Sequence, residues 1–548
     1  MAIDAKHELS IYKALKSDRA YWDTWWQQIN EFALPRRAYI TENETTPDGQ
    51  QYDRVYDTTA YQAVAGLSNM MTSRLTPFNQ QWKQWGMAPE LQDNDEAVSW
   101  MASMSEISLK YTADSTFYRE IHSVNEDKAG PGTGCLYLGH GKRKFFDYKH
   151  IELGSYSFTE DSEGIADAIW REFKVTGLQA KEMFPEGNFT GKLGKAINPS
   201  QPGEYIDKHN ILQIVRPRKD YNPNMVDKAN MPYEEIYIDI EGENVIEEGG
   251  YETFPFMVSR FQKWGNHHVW GVSPCRKAMP AIHQANFLQE MADELVELQV
   301  RPRFKQLASM VGQVDLRAGG RTLGESVEQL ESLKEWATAG RPDIGQARLE
   351  AKQQDIRALF FHSLWQPLSD TTRDVTATEI DERRRQDELL FSPTLNSYMV
   401  DSQPLAKREY QMMMAAGKHP PIPATILEYM GDTGKLPDPV MSTKTELTMA
   451  IDRQQSGGMD RIFERLLALY QVDPSIIDEF DLSQAMREIA RSEGVSERVI
   501  RSKDDVIEIQ EARAEAAAKQ QELDTVSQVA EAAGKAPPEM LDAVAGAV

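Results

Sequence analysis

Between Lys352 and Gly417 the chain reads KQQDIRALFFHSLWQPLSDTTRDVTATEIDERRRQDELLFSPTLNSYMVDSQPLAKREYQMMMAAG, and no other stretch limits the fold as strongly. An apolar helix is expected to end near Trp365. A short polar loop containing Pro367 follows, and a long charged helix begins after Thr376. Thr376 and Glu379 form a T-x-x-E capping box, in which hydroxyl and carboxylate each satisfy an orphan backbone N–H. Glu379/Arg383 and Asp381/Arg385 then stand four apart with the acid first, the favourable orientation on a helix. At 1.5 Å per residue the segment 377–417 would span roughly 60 Å as a helix, with Ser392-Pro393 the place for a bend. That is long for one globular domain. It points to an element that crosses an assembly.

The length of 548 residues has room for several domains or one elongated subunit. An apolar fraction of 41% is enough to build sizeable cores. Two cysteines, Cys135 and Cys275, lie far apart without C-x-x-C spacing. They fit neither a disulfide framework nor a zinc site, and both are expected as thiols in a reducing cytosol. The N-terminus has no apolar core of the kind a signal peptide needs. No uninterrupted apolar run reaches the length of a membrane span, so no membrane insertion is expected. The formal charge of −25, from 85 acids against 60 bases, argues against a role that grips or wraps DNA, because such binding neutralises phosphates with Lys and Arg. An acidic protein kept dispersed by repulsion is the simpler reading.

Periodicity divides the rest of the chain. Residues 1–35 read as a helix with Tyr12, Leu15, Trp22, Trp26 and Ile29 near the 3.6 period, stopped at Leu34-Pro35. Further helices are expected at 57–76, capped by Asp57 or Thr58, and at 94–129, with WKQWG at 82–86 extended between them. After Gly130 the pattern turns to strands at 134–138, 144–148, 154–158 and 166–174. A short helix at 176–185 is followed by strands at 210–217, 233–240, 244–247 and 254–262. Short strands joined by turns and not by helices indicate an antiparallel α+β unit. Ser273 as cap and Pro274 at the first position open another helix, running to Arg301-Pro302. Residues 303–345 read as irregular, with short strands at 304–308 and 326–336. Helices recur between 443 and 530. The fold class is therefore α+β, predominantly helical.

A catalytic constellation is not found. GPGTGCLYLGHGK at 130–142 lacks the G-x-x-x-x-G-K-[ST] spacing of a phosphate loop, with Leu136 and Arg143 where glycine and Ser/Thr would stand, so it reads as a β-turn. The adjacent His267 and His268 would face opposite sides of a strand and cannot share a metal. Glu290, Asp293, Glu294 and Glu297 sit at helical spacing; such a cluster could bind a cation but more often forms a solvated face. The arginines 383–385 read as partners for helical carboxylates in preference to DNA contacts. No cofactor is expected. A metal-dependent nuclease built from scattered acids is the enzymatic alternative, and a structural or scaffold-type helical protein without a channel is the other.

The order of parts carries a resemblance. W-x-x-I-x-x-F-A-L-P at 26–35, Asp57-Thr58-Thr59-Ala60 with the helix to Leu75-Thr76-Pro77, and the turn Gly132-Thr133-Gly134-Cys135-Leu136 come first. Trp270-Gly271-x-Ser273-Pro274, Arg357-x-x-Phe360-Phe361 and Val375-Thr376-Ala377-Thr378-Glu379-Ile380 follow in that sequence. Together they resemble the portal, or head-to-tail connector, proteins of short-tailed double-stranded DNA bacteriophages over most of the chain. The resemblance implies a structural protein, not an enzyme, that forms a dodecameric ring around an axial channel at one capsid vertex. It implies a wing at 1–272, stem helices at 273–299 and 346–365, and a clip at 300–345. A tunnel loop at 366–376 (Gln366, Pro367, Leu368, Ser369, Asp370, Thr371, Thr372, Arg373 and Asp374, then the helix start) would project into the lumen. The helix and connection at 377–439 would lead into the wing, and 440–548 would form the helical crown. Glu290, Asp293, Glu294 and Glu297 would then line the channel. Implied partners are other copies of the chain, the major capsid and scaffolding proteins, the packaging terminase, a tail adaptor at the clip, and double-stranded DNA held weakly and without sequence preference. The implied location is the virion, with host cytoplasm during assembly. Repulsive walls with sparse arginines would let DNA slide, and a separate ATPase would supply the power.

Overall fold

The computed structural model of the chain describes residues 3–300, 342–362 and 377–443 apart from short gaps, chiefly 36–39 and 41–53. Beyond these it describes the pairs 304–305 and 334–335 and fragments between 462 and 521; the side chains of 298–300, 342–344 and 377–390 are outside the description. In chain order the elements are α1 (Ala5–Ala33), α2 (Thr59–Leu75), β1 (Lys83–Gly86), α3 (Asp95–Asp114), α4 (Phe117–Ala129), β2 (Thr133–His140), β3 (Phe146–Ile151), β4 (Tyr156–Glu160) and β5 (Ala166–Thr176). There follow α5 (Gly177–Met183), α6 (Gly191–Ala196), β6 (Lys208–Pro217), β7 (Tyr233–Asp239), β8 (Asn244–Tyr251), β9 (Phe256–Arg260), α7 (Pro274–Val300), β10 (Phe304–Lys305) and β11 (Lys334–Glu335). The last are α8 (Pro342–Leu359), α9 (Ala377–Ala415), α10 (Ala424–Thr433) and β12 (Val440–Thr443). The chain forms two compact units, one of Met1–Gln84, Ile107–Lys418 and Met441–Ile451, the other of Trp85–Glu106, His419–Val440 and Asp452–Val548.

The first unit is built on two antiparallel sheets, a three-stranded one in the order β3-β2-β9 and a five-stranded one in the order β4-β5-β6-β7-β8. Alternation along the strands decides which side each residue faces. Ala168, Trp170, Leu212, Ile214, Ile236 and Ile238 point to one face, and the start of α1 covers them with Ala5, Leu9 and Tyr12. The opposite face holds two apolar clusters. One joins Ile169 and Val215 to Trp22 and Trp26 of α1, Cys135 of β2, Val258 of β9 and Trp270. The other packs Val175, Ile211 and Ile246 against Ala180 and Phe184 at α5 and Leu193 of α6. Trp26 meets Trp270 edge-on with ring centroids 4.6 Å apart. Both cysteines are buried free thiols, and burial pushes Cys275 up to about 12.

Two of the glycine-bearing motifs meet here. Gly132, at φ 111°, lies against Gly271 so closely that a Cβ on Gly271 would stand 2.3 Å from the Gly132 carbonyl oxygen. A Cβ on Gly132 would likewise stand 2.7 Å from the Gly271 oxygen. Gly271 N–H donates to Thr133 Oγ1 at 2.8 Å, and Phe261 N–H donates to the Gly132 carbonyl at 3.0 Å. The glycine-rich turn after α4 is therefore a backbone crossing that only glycine permits. It fixes where α7 begins. Ser273 Oγ then accepts from Arg276 N–H at 3.1 Å, the cap expected ahead of Pro274.

Some boundaries differ from the sequence expectation. The helix expected over 94–129 is two helices, because hydroxyls at the break take over backbone bonding. Ser115 Oγ donates to the Thr112 carbonyl and accepts from Phe117 N–H, while Thr116 Oγ1 both donates to and accepts from the Tyr148 backbone. The helix expected to end near Trp365 ends at Leu359, where Phe361 takes a left-handed φ of 54°. Trp365 itself lies outside the described residues. The turn of helix at α6 has too little apolar periodicity to be read from sequence. Val440–Thr443 is a strand just where a helix from 443 was expected to begin.

Candidate functional site

Helices α7 and α8 pack along one another, and α8 buries Leu349 and Ile356, one heptad apart. The turn ahead of α2 brackets the pair. Asn286 Oδ1 accepts from the backbone N–H groups of Tyr56 and Asp57 at 2.8 and 3.2 Å, and its Nδ2 donates to the Arg54 carbonyl at 3.0 Å. Asp57 Oδ1 accepts from Thr59 N–H and Oγ1 and, from α8, from Gln353 Nε2 at 3.3 Å. Thr58 occupies the cap position of α2 without a side-chain cap bond; Asp57 supplies the acceptor. This explains the Asp57-Thr58-Thr59-Ala60 signature, since it ties three helices together.

The four acids of α7 do not share one environment. Glu290 is half-buried and bonds to the hydroxyl of Tyr56; the charge of Glu290, with lesser contributions from Glu294 and Asp293, pushes that phenol up. Asp293, Glu294 and Glu297 are exposed, and Asp293 accepts from Gln289 Nε2 at 2.9 Å. Alongside them α7 leaves Phe287 57% and Val296 57% exposed, with Met291 beside Phe287 on the helix. A helix that buries one face on its own chain and presents apolar side chains elsewhere has surface available for a neighbour.

The segment 363–376, including Gln366–Asp374 and Thr376, lies outside the described residues, as does the side chain of Glu379. Its flanks are described. Phe361 after α8 and Phe391 on α9 meet with ring centroids 5.9 Å apart, and each faces Phe261 after β9, at 6.3 and 6.4 Å. α9 begins at Ala377, immediately after Thr376.

Beyond Phe391, α9 is held by buried charged side chains. Glu409 Oε2 accepts from Lys83 Nζ at 2.5 Å and from Ser108 Oγ at 2.7 Å, and its Oε1 accepts from Tyr148 OH at 2.8 Å. Lys83 Nζ also donates to Ser108 Oγ and Thr112 Oγ1. The two side chains are 1% and 2% exposed. Burial pulls Lys83 below the usual lysine range, opposed by Glu409, and burial with the Glu409 charge drives Tyr148 well above the usual phenol range. Two turns earlier Asp401 Oδ2 accepts from Arg260 N–H at 3.0 Å and Ser259 Oγ at 3.2 Å. Lys128 Nζ donates to the same Ser259 hydroxyl at 2.8 Å and lies 4.9 Å over the Tyr398 ring. Burial lowers Lys128 to about 8 against the pull of Asp401, and burial raises Asp401. α9 carries Pro393 and Pro404 on either side of Asp401.

One signal for these anchors was in the sequence. Phe391, Leu395, Tyr398, Ser402, Leu405, Glu409 and Met412 recur at three- and four-residue spacing, and all are buried. Glu409 stands on this buried stripe of a long charged helix. Its partner Lys83 is 326 positions away and could not be paired with it by spacing.

A family model described as bacteriophage head to tail connecting protein matches residues 5–500. The chain belongs to this family. The connector is 22% identical over 539 residues to a probable portal protein of Bordetella phage BPP-1, covering 96% of this chain and 94% of that one. It is 21% identical over 518 residues to the portal protein of Salmonella phage epsilon15, covering 92% and 90%. Among solved structures, a chain from the virion of a native gene transfer agent particle matches with a TM-score of 0.36 and 12% identity, over 77% of this chain and 90% of that one. A likeness of that size carries no weight for function. The resemblance carried by the ordered motifs is thus borne out at the level of family.

Two outcomes test the anchors. Lys83→Met or Glu409→Leu alone should each cost about 3–5 kcal/mol, because each strands a buried charge. The double variant should cost far less than the two added together; additive losses in denaturant unfolding would reject the coupling. For Lys128, between about pH 8 and the ordinary lysine value of 10.5 the folded chain has released a proton that the unfolded chain keeps. Stability from this group therefore rises with pH across that window, by up to ~1.4 kcal/mol per unit. Comparing melting temperatures with Lys128→Met, the lysine-bearing connector should gain between pH 8 and pH 10. A constant difference would reject it.

Proposed function

We propose that the connector forms a ring of twelve copies at one vertex of the capsid, surrounding the channel through which the genome is packaged and ejected. The observation that carries the reading is the bracketed pair α7 and α8, which leaves Phe287, Met291 and Val296 outside its own core. In a closed ring the same surface recurs at every subunit boundary. α7 and α8 are the stem, within 273–299 and 346–365; the sheets and surrounding helices of 1–272 are the wing. Residues 300–345 are the clip, 366–376 the tunnel loop, 377–439 the long helix and its connection, and 440–548 the crown.

The charge of −25 per copy supports a conduit over a clamp, since a ring of such subunits repels phosphates on average. DNA then passes by weak, sequence-independent contacts, with Arg373 the basic residue of the loop. The exposed Asp293, Glu294 and Glu297 face the lumen in this reading. Glu290, tied to Tyr56, sets the position of the stem against α2. The ring takes capsid and scaffolding proteins around its wing and crown, and the terminase and tail adaptor in turn at the clip. It does so in the host cytoplasm during assembly and in the virion afterwards, as a structural part and not as an enzyme. No described helix is long and apolar enough to cross a membrane, and no group of three or more His, Cys, Asp or Glu among the described residues could hold a metal ion.

Native mass spectrometry should give a twelve-membered species, and negative-stain views down its axis should show a central hole. Phe287→Asp should shift the population to smaller species. A clean monomer of the unaltered chain rejects the ring. Deleting Leu368–Asp374 should leave rings that assemble but particles that lose packaged DNA; normal genome retention by that variant rejects the loop's part in holding it.

A further inference from the structure

The chain carries a net charge of −25, yet one place on it has the opposite sign. The turn between β2 and β3 and the strand that follows read His140-Gly141-Lys142-Arg143-Lys144-Phe145-Phe146-Asp147-Tyr148-Lys149, with four Lys and Arg against one acid. The turn is held in shape. Gly141 N–H donates to the Phe145 carbonyl at 3.4 Å, and a Cβ on Gly141 would stand 2.3 Å from the Lys144 carbonyl oxygen. Lys142, Arg143 and Lys144 are all exposed.

Two other segments bring cations to the same turn. The Phe145 ring meets Tyr111, in the last turn of α3, with centroids 5.0 Å apart, and packs on Phe146 at 4.8 Å. Lys418, beyond the end of α9, sets its ammonium over both rings, 5.2 Å from the Tyr111 centroid and 5.5 Å from that of Phe145. A lysine seated on two aromatic rings keeps its charge at a defined position. Lys110, beside Tyr111 on α3, is exposed as well.

Neighbouring acids neutralise part of this charge. Glu182 of α5 pairs with Lys142 at 2.6 Å, Asp114 lies 3.7 Å from Lys144, and Asp147 pairs with Lys149 at 3.0 Å. Lys110, Arg143 and Lys418 form no ion pair among the described residues, which leaves three positive charges in surplus. The rings decide which anion this surplus suits. Tyr111, Phe145 and Phe146 pack on one another and carry Lys418, and none of them is an exposed ring on which a base could stack. Nor do the turn, the end of α3 and Lys418 offer the exposed apolar centre that a protein partner would bury. They present positive charge on fixed supports, which suits a stiff row of phosphates.

We propose that this patch binds the phosphate backbone of double-stranded DNA, outside any channel and without reading its sequence. The contact does not depend on the ring or on the loop at 366–376. Fluorescence anisotropy with a short labelled duplex should show binding by the connector at low salt. Arg143→Gln with Lys418→Gln should weaken it at least ~tenfold and flatten the plot of log affinity against log salt by about two; Arg143→Gln alone should flatten it by about one. Both residues are exposed, so each variant should melt close to the unaltered connector; Arg143→Gln decides if the double variant fails to fold. Arg373→Gln, in the loop, should leave the binding unchanged. No binding at low salt overturns the proposal, as does binding that the patch variants keep and Arg373→Gln loses. Tighter binding of a single strand of equal length would require base stacking and overturns it too. If polyglutamate binds more tightly than the duplex, the partner is an acidic polypeptide and the proposal falls.

Discussion

The buried pair of Lys83 and Glu409 is the constraint on which the arrangement of the long helix depends. An ion pair taken out of water is stabilising only if every remaining donor and acceptor finds a partner. Here Ser108, Thr112 and Tyr148 provide those partners, drawn from α3 and β3. Five side chains from four separate elements must therefore be in place before the pair is tolerable. That requirement makes the docking of α9 specific to one register: a shift by a residue would leave Glu409 against apolar surface and Lys83 alone.

The other fixed point is the backbone crossing of Gly132 and Gly271. It joins the start of β2 to the start of α7 without an intervening side chain, so the direction of α7 is set by the sheet it leaves. The clasp of Arg54, Tyr56 and Asp57 on Asn286 and Gln353 then sets how α7 and α8 lie against α2. The motifs around Trp26, Asp57, Gly132, Gly271 and Phe361 are thus places where distant segments touch.

Much of this architecture is legible in the amino-acid sequence. The β-branched apolar run around Ile211, Ile214 and Val215 locates β6, and Ser273-Pro274 locates the first residue of α7. The start of α9 after Thr376 follows from the T-x-x-E pattern. The break between α3 and α4 is not legible, because Ser115 and Thr116 continue an acceptable helix sequence and are turned aside by the Tyr148 backbone. The anchors of α9 are not legible either. Arg408 and Glu409 look like surface charge on a surface helix, and their burial is decided by residues far away in sequence. Local pattern reports what a segment prefers; a buried charge reports what surrounds it, and that information is not local.

Pro393 and Pro404 give α9 an uneven mechanical character. Each proline removes one N–H from the helical ladder, so the stretch around Asp401 lacks rungs that the rest of the rod possesses. The Lys83–Glu409 anchor lies beyond both interruptions, towards the C-terminal end. A pull entering α9 from its N-terminal end must pass two softened joints, with Asp401 pinned between them, before it reaches the rigid mooring. The rod would yield in stages, and the first to give would be the joint at Pro393, leaving the sheet core undisturbed while the end nearest Thr376 moves.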